Sequence, residues 1–293
     1  GTNSTVCLMM ADGPVVFLDS GIGGLSYITA ARKMMPSEQF VYVADNRYFP
    51  YGDKDSAVVL RRVTELVGTC IDAYTPKAIV IACNTASVIA LAELRRQYAV
   101  PFIGVVPAVK PAAENSKTRK IGIFATSRTV GDVYTENLIR QFAPDCSVIS
   151  YPGAETVTYI EEHFFNDPQE KREGYIRGIA RKFFRDGIDS LVLGCTHFVF
   201  LADRLQELLQ GTVDVIDSRD GVIRQLKRVL SAAEGGQTAA AEENPADAGA
   251  GRTAGTANLY VTMEPERNSL FAILAERFEY RYRGVLSNGE GVH

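Results

Sequence analysis

The chain has 293 residues, 46% of them hydrophobic and 23% charged, which is enough to bury a core and to divide into two domains. Its formal net charge of -4 offers no general basic surface, and so excludes nucleic acid as the main ligand. No apolar run approaches the roughly 18 residues that span a bilayer, and Gly1 to Asp12 lacks a basic region followed by a long apolar stretch, so the expected location is the cytoplasm, with no membrane contact.

In chain order, short apolar β-branched runs alternate with longer segments of helical period, the signature of an α/β fold. Strands are predicted at Val15-Leu18, Phe40-Ala44, Ala78-Ala82, Phe102-Val105, Lys120-Phe124, Ser147-Tyr151, Ser190-Leu193 and Val213-Ile216, with helices between them such as Ser56-Tyr74, Ala86-Tyr98 and Glu170-Arg185. Runs such as AIVIA and LVL are apolar throughout, as in parallel strands covered on both faces. Ala233 to Asn258 is rich in Ala, Gly, Glu and Thr and has almost no large apolar residue, so it reads as a flexible linker. LYVTM and SLFAILAERF then give a last strand and helix, and the tail from Arg281 is expected to be loosely held.

AIVIACNTAS around Cys83 and DSLVLGCTHF around Cys195 repeat one arrangement: an apolar strand, a cysteine, a threonine, then a helix. This implies two similar halves, each placing functional groups at the carboxyl ends of its strands, with a cleft between. A sulfur just ahead of a helix is close to free N-H groups that favour a thiolate. Buried cysteines are commonly just small hydrophobes, and Cys7, Cys70 and Cys146 are read that way; the matched polar followers set Cys83 and Cys195 apart. The odd cysteine count and wide spacings fit a reducing compartment, and with only three histidines (His163, His197, His293) no metal site is expected.

Leu18-Asp19-Ser20-Gly21-Ile22-Gly23-Gly24 ends the first strand, and its glycines permit positive φ and let backbone N-H groups approach an anion. It matches neither the dinucleotide fingerprint nor the P-loop. Asp19 could orient an acid or base, meet a substrate ammonium, or simply cap the helix. Pro50-Tyr51-Gly52 is a turn, His197 is a candidate proton shuttle beside Cys195, and Glu161-Glu162 would ordinarily be a solvated helix face.

Together LDSGIGGLS, PYG, ACNTAS, GVVPAVKPA and LVLGCTHF, spread over roughly residues 15 to 217, resemble the glutamate racemase family. The resemblance implies two pseudo-symmetric α/β domains, each with a mostly parallel sheet flanked by helices, and an active site in the cleft between them. The expected boundaries are 15–105 plus 218–293 for one domain and 106–217 for the other. It further implies interconversion of L- and D-glutamate for peptidoglycan synthesis, no cofactor, and a homodimer. Cys83 and Cys195 would be the two bases, aided by Asp19, His197 and Glu161. Asp19, Ser20, Tyr51, Gly52, Asn84, Thr85, Thr196 and His197 would hold the substrate.

The chain departs from the family pattern in three places: Tyr151-Pro152 replaces the usual Cys-Pro, Asn46 follows Asp45 where Thr is usual, and residues 233–258 are inserted. The first leaves the supporting carboxylate open between Glu161 and Glu162. The alternatives are an aspartate or other racemase of the superfamily, against which Cys195-Thr196-His197 argues, a one-cysteine decarboxylase, and a non-catalytic acid-binding relative.

Overall fold

The computed structural model describes residues 13–233, 255–265 and 270–286. The first sheet begins with β1 (Val15–Asp19), α1 (Leu25–Met34), β2 (Phe40–Ala44), α2 (Ser56–Tyr74), β3 (Ala78–Ile81), α3 (Asn84–Gln97) and β4 (Phe102–Gly104). The chain then passes through α4 (Val109–Asn115) into β5 (Lys120–Ala125), α5 (Ser127–Val130), α6 (Val133–Phe142), β6 (Ser147–Pro152), α7 (Ala154–Tyr159), α8 (Gln169–Arg185), β7 (Ser190–Leu193), α9 (Ala202–Leu209) and β8 (Asp214–Ile216). It returns through α10 (Arg219–Ala233) to β9 (Ala257–Val261), α11 (Leu270–Arg277) and β10 (Arg281–Val285).

The local chemistry of α2 illustrates why these elements form where they do. Asp55 caps the helix by accepting the Ala57 N-H at 2.8 Å, and Val59, Val63, Leu66, Val67 and Cys70 recur at helical spacing on the buried face. Thr75, left-handed at φ 44°, ends it. Each fully buried Val, Leu or Ile contributes roughly 1.5–3 kcal/mol, so this stripe fixes the helix against the sheet.

Two parallel sheets result, a 6-stranded one ordered β10-β9-β2-β1-β3-β4 and a 4-stranded one ordered β6-β5-β7-β8. The order β2-β1-β3-β4 is repeated by β6-β5-β7-β8, so β3, which leads into Cys83, and β7, which leads into Cys195, hold equivalent places.

Two expectations need correction. The segment from Arg281 is a strand: Arg281 and Tyr282 pair with Asn258 and Leu259, extending the first sheet. The linker assignment also ran too far. Gly255 N-H bonds Pro36 O at 2.8 Å, Thr256 O accepts from Phe40, and Ala257 and Asn258 already pair with β2. Backbone pairing orders a stretch that composition alone marks as unable to bury itself. Ala233 closes α10, and residues 234–254 lie outside the described residues.

Candidate active site

The carboxyl ends of the strands of both sheets meet at a cavity of about 20 Å³. Its walls include Ser20, Tyr51, Gly52, Cys83, Asn84, Thr85, Cys195, Thr196 and His197, all anticipated from sequence, together with Pro50, Thr126 and Val157. Cys83 (φ -143°, ψ 123°) and Cys195 (φ -140°, ψ 136°) share an extended backbone immediately before a helical turn. Each is 7% exposed. Cys83 opens α3, whose Ala86 N-H favours a charged sulfur. Cys195 opens a 3-10 turn, Thr196–Leu201, rather than an α-helix.

Asp19 is wholly buried at the end of β1. It accepts Ser20 N-H at 2.6 Å, Gly24 N-H at 2.5 Å and the Thr196 hydroxyl at 3.0 Å, the last from the other sheet's side of the cavity. Burial raises its pKa to about 6 against these bonds and the nearby His197. Burial, and then the charge of Asp19, push the Cys83 thiol well above its ordinary value. Asp19 thus both stabilises the glycine turn and interacts with Cys83.

On the opposite wall, His197 Nδ1 stands 3.9 Å from Cys195 Sγ, while Nε2 is 2.7 Å from Glu161 Oε2. Burial opposes a charged imidazole, but the hydrogen bonds with Cys195 and Glu161 prevail and raise its pKa well above the ordinary value. Glu161 lies in a π-helical turn, Ile160–Phe164, that follows α7 and buries Ile160 and Phe164. Its Oε2 also accepts Ile22 N-H at 3.1 Å. The side chain of Glu162 is 58% exposed, beside His163 at 3.7 Å. Of the two candidate carboxylates, Glu161 is therefore the one that bonds a residue of the cavity wall, standing behind His197.

The glycine turn departs from expectation. Among the described glycines positive φ occurs at Gly187, Gly211 and Gly284, not at Gly21, Gly23 or Gly24, and the N-H groups of Ser20 and Gly24 are directed at Asp19 and that of Ile22 at Glu161. What Gly21 and Gly23 supply is close approach: a Cβ at Gly21 would stand 2.6 Å from Glu161 Oε2, and one at Gly23 would stand 2.4 Å from Thr196 Oγ1 and 2.6 Å from His197 Nδ1.

Asn84 is 3% exposed, and its Oδ1 and Nδ2 are both buried without a partner at the cavity wall. An amide in that state can accept from an ammonium and donate to a carboxylate. The hydroxyls of Thr85, Thr126 and Thr129 form a triangle with sides of 3.0–3.2 Å. Thr126, which single-sequence reading missed, ends β5, the counterpart of β1; the rule that ligands gather at strand carboxyl ends could have found it. Val157 carried no such signal. Cys70 is buried in α2, Cys146 is half-buried away from the cavity, and Cys7 lies outside the described residues.

Two parallel α/β sheets meeting at a pair of matched cysteines define the class, and the chain belongs to the aspartate/glutamate/hydantoin racemase family, whose sequence model, described as Asp/Glu/Hydantoin racemase, matches residues 25–226. Its relatives point more narrowly. The chain is 41% identical over 223 residues to a glutamate racemase of Brucella canis, covering 75% of this chain and 80% of the relative. It is 37% identical over 220 residues to one of Shewanella halifaxensis, covering 74% and 81%. Among solved structures, the Escherichia coli glutamate racemase, in complex with L-glutamate and the activator UDP-MurNAc-ala, superposes with TM-score 0.76 at 30% identity, covering 94% of this chain and 98% of that one. The chain is an isomerase of the glutamate racemase kind. Among the described residues no helix is long and apolar enough to cross a membrane.

Proposed function

We propose that the protein interconverts L- and D-glutamate by two-base proton transfer, with Cys83 and Cys195 on opposite faces of the α-carbon. The observation that carries this reading is the pairing of two cysteines with matching backbone geometry, at equivalent strand ends, on one small cavity. In one direction Cys195 removes the α-proton while Cys83, held as a thiol by burial and Asp19, returns a proton to the other face. In the reverse direction the roles exchange. His197, charged and backed by Glu161, assists Cys195, and Asp19 assists Cys83. The unpartnered Asn84 amide, with Ser20, Gly52, Thr85 and Thr196, takes the polar groups of the substrate.

This chemistry asks for no cofactor, because each thiol supplies or removes one proton. The expected setting is the bacterial cytoplasm, where D-glutamate feeds peptidoglycan synthesis, and the expected assembly is a homodimer. The two domains are taken as 15–105 with 218–293, and 106–217.

The test uses C83S and C195S. Both should lose racemisation in both directions, followed by circular dichroism with L-glutamate and L-aspartate in parallel. Each should still eliminate HCl from one enantiomer of a β-chloro glutamate analogue, and the two variants should prefer opposite enantiomers. A shared preference would remove the opposed-base assignment; turnover of aspartate in place of glutamate would move the substrate.

A further inference from the structure

Tyr51 is assigned to the cavity wall, yet its hydroxyl is already engaged: it donates to Asp45 Oδ2 at 2.7 Å. Asp45, at the end of β2, is wholly buried, and its other bonds come from two separate elements. Arg62 of α2 grips it in bidentate fashion, Nε to Oδ2 at 2.9 Å and Nη2 to Oδ1 at 2.8 Å. The Thr262 hydroxyl, just beyond β9, donates to Oδ1 at 2.6 Å and accepts Arg47 N-H at 3.2 Å. Both carboxylate oxygens thus receive two donors each.

The neighbouring Asn46, one of the three places where the sequence departs from the pattern of the family it resembles, ties the same segment down. Its Oδ1 accepts the N-H groups of Thr262 at 3.0 Å and Met263 at 2.9 Å, and its Nδ2 donates to Met263 O at 2.8 Å. Arg62 is held further by its guanidinium lying 4.7 Å over the Tyr48 ring. The stretch from Asp45 to Gly52 is therefore anchored from two sides, by α2 and by the segment after β9, and the anchors converge on one carboxylate.

We propose that Asp45 is the positioning residue for Tyr51, and that Arg62 and the Thr262-Met263 segment, docked by Asn46, clamp it so that the Pro50-Tyr51-Gly52 wall is set by α2 and by the segment that follows β9. This rests on the reading of that wall as part of the glutamate site. With its hydroxyl bonded to Asp45, Tyr51 acts as the peg of the turn, and what the turn presents to the substrate is its backbone and Gly52. A wall that contacts substrate and transition state alike contributes uniform binding, so loosening it raises KM more than it lowers kcat.

The experiment compares the full-length chain with Y51F, D45N, the double variant, T262V and T262S. Racemisation kinetics are measured alongside the rate of iodoacetamide labelling at Cys83, which shares the cavity with Tyr51; Cys70, buried in the core of α2, serves as the internal reference for general loosening. Y51F and D45N should each raise KM about tenfold with kcat falling less than about threefold, and the double variant should be no worse than D45N, because both act through one contact. T262V should move KM the same way by about threefold, and T262S, which keeps the hydroxyl, should restore it. Labelling of Cys83 should quicken about fivefold relative to Cys70 in each impaired variant.

Unchanged KM and labelling in the folded variants, multiplicative effects in the double variant, or Cys70 rising in step with Cys83 would each overturn the clamp. If D45N does not fold, Y51F and the T262V–T262S pair decide. Absence of glutamate turnover in the unmodified protein would instead remove the function reading, and the labelling comparison would still judge the clamp.

Discussion

A carboxyl as deeply enclosed as Asp19 resists ionisation, and the sign of that resistance can be measured. Its pKa is raised from the ordinary 3.8 to about 6, so its protonated form favours the fold; that contribution is complete below the unfolded value and is lost as pH rises through about 6. In D19N this dependence disappears. The stability of the variant relative to the parent should therefore rise by on the order of 3 kcal/mol from about pH 4 to about pH 8, whatever constant cost the amide's geometry adds, while racemisation falls. Urea unfolding at both pH values checks this, and a pH-independent difference would mean that folding leaves the Asp19 pKa unshifted. At this scale the sequence was most legible where chemistry is repeated: Cys83 and Cys195 stood out because the same polar followers appear twice. Asp45 gave no comparable signal, since its meaning comes from Arg62 and from Thr262, far along the chain and adjacent only after folding.

Elements were legible where periodicity is strong. Ser56–Tyr74 and Phe40–Ala44 fall as read, because a helical stripe and an all-apolar strand each have one satisfactory environment. β10 was not legible, because Arg281–Val285 alternates exposed and half-buried residues at a sheet edge and owes its order to pairing with β9. Nor was the π-helical turn, which shifts Glu161 out of ordinary helical register. The glycine turn and the 3-10 turn after Cys195 depend on each other for space. G23A should push Thr196 and His197 away from Asp19 and Cys195, with kcat falling by about 10²-fold and the melting temperature falling by a few degrees. Steady-state kinetics with a thermal scan test this; undiminished turnover would mean that the turns have slack.

For the whole molecule, a cavity of about 20 Å³ has room for about one water, and glutamate is several times larger. If glutamate binds here as proposed, the two walls are expected to part to admit it, a motion on the μs–ms scale usual for closing clefts. Iodoacetamide should therefore label Cys83 and Cys195 slowly, and saturating glutamate should slow both further; labelling indifferent to glutamate would put the substrate elsewhere. The repeated strand order has one more consequence. In the proposed mechanism the thiols are matched but their helpers are not, since Asp19 stands near Cys83 and the His197–Glu161 pair stands beside Cys195. Turnover and apparent affinity can accordingly differ for the two enantiomers. Enantiomers have equal free energy in water, so the Haldane relation fixes the racemisation equilibrium constant at unity and makes kcat/KM identical in the two directions. Damage to either helper must lower both efficiencies by the same factor, however one-sided its position in the cleft.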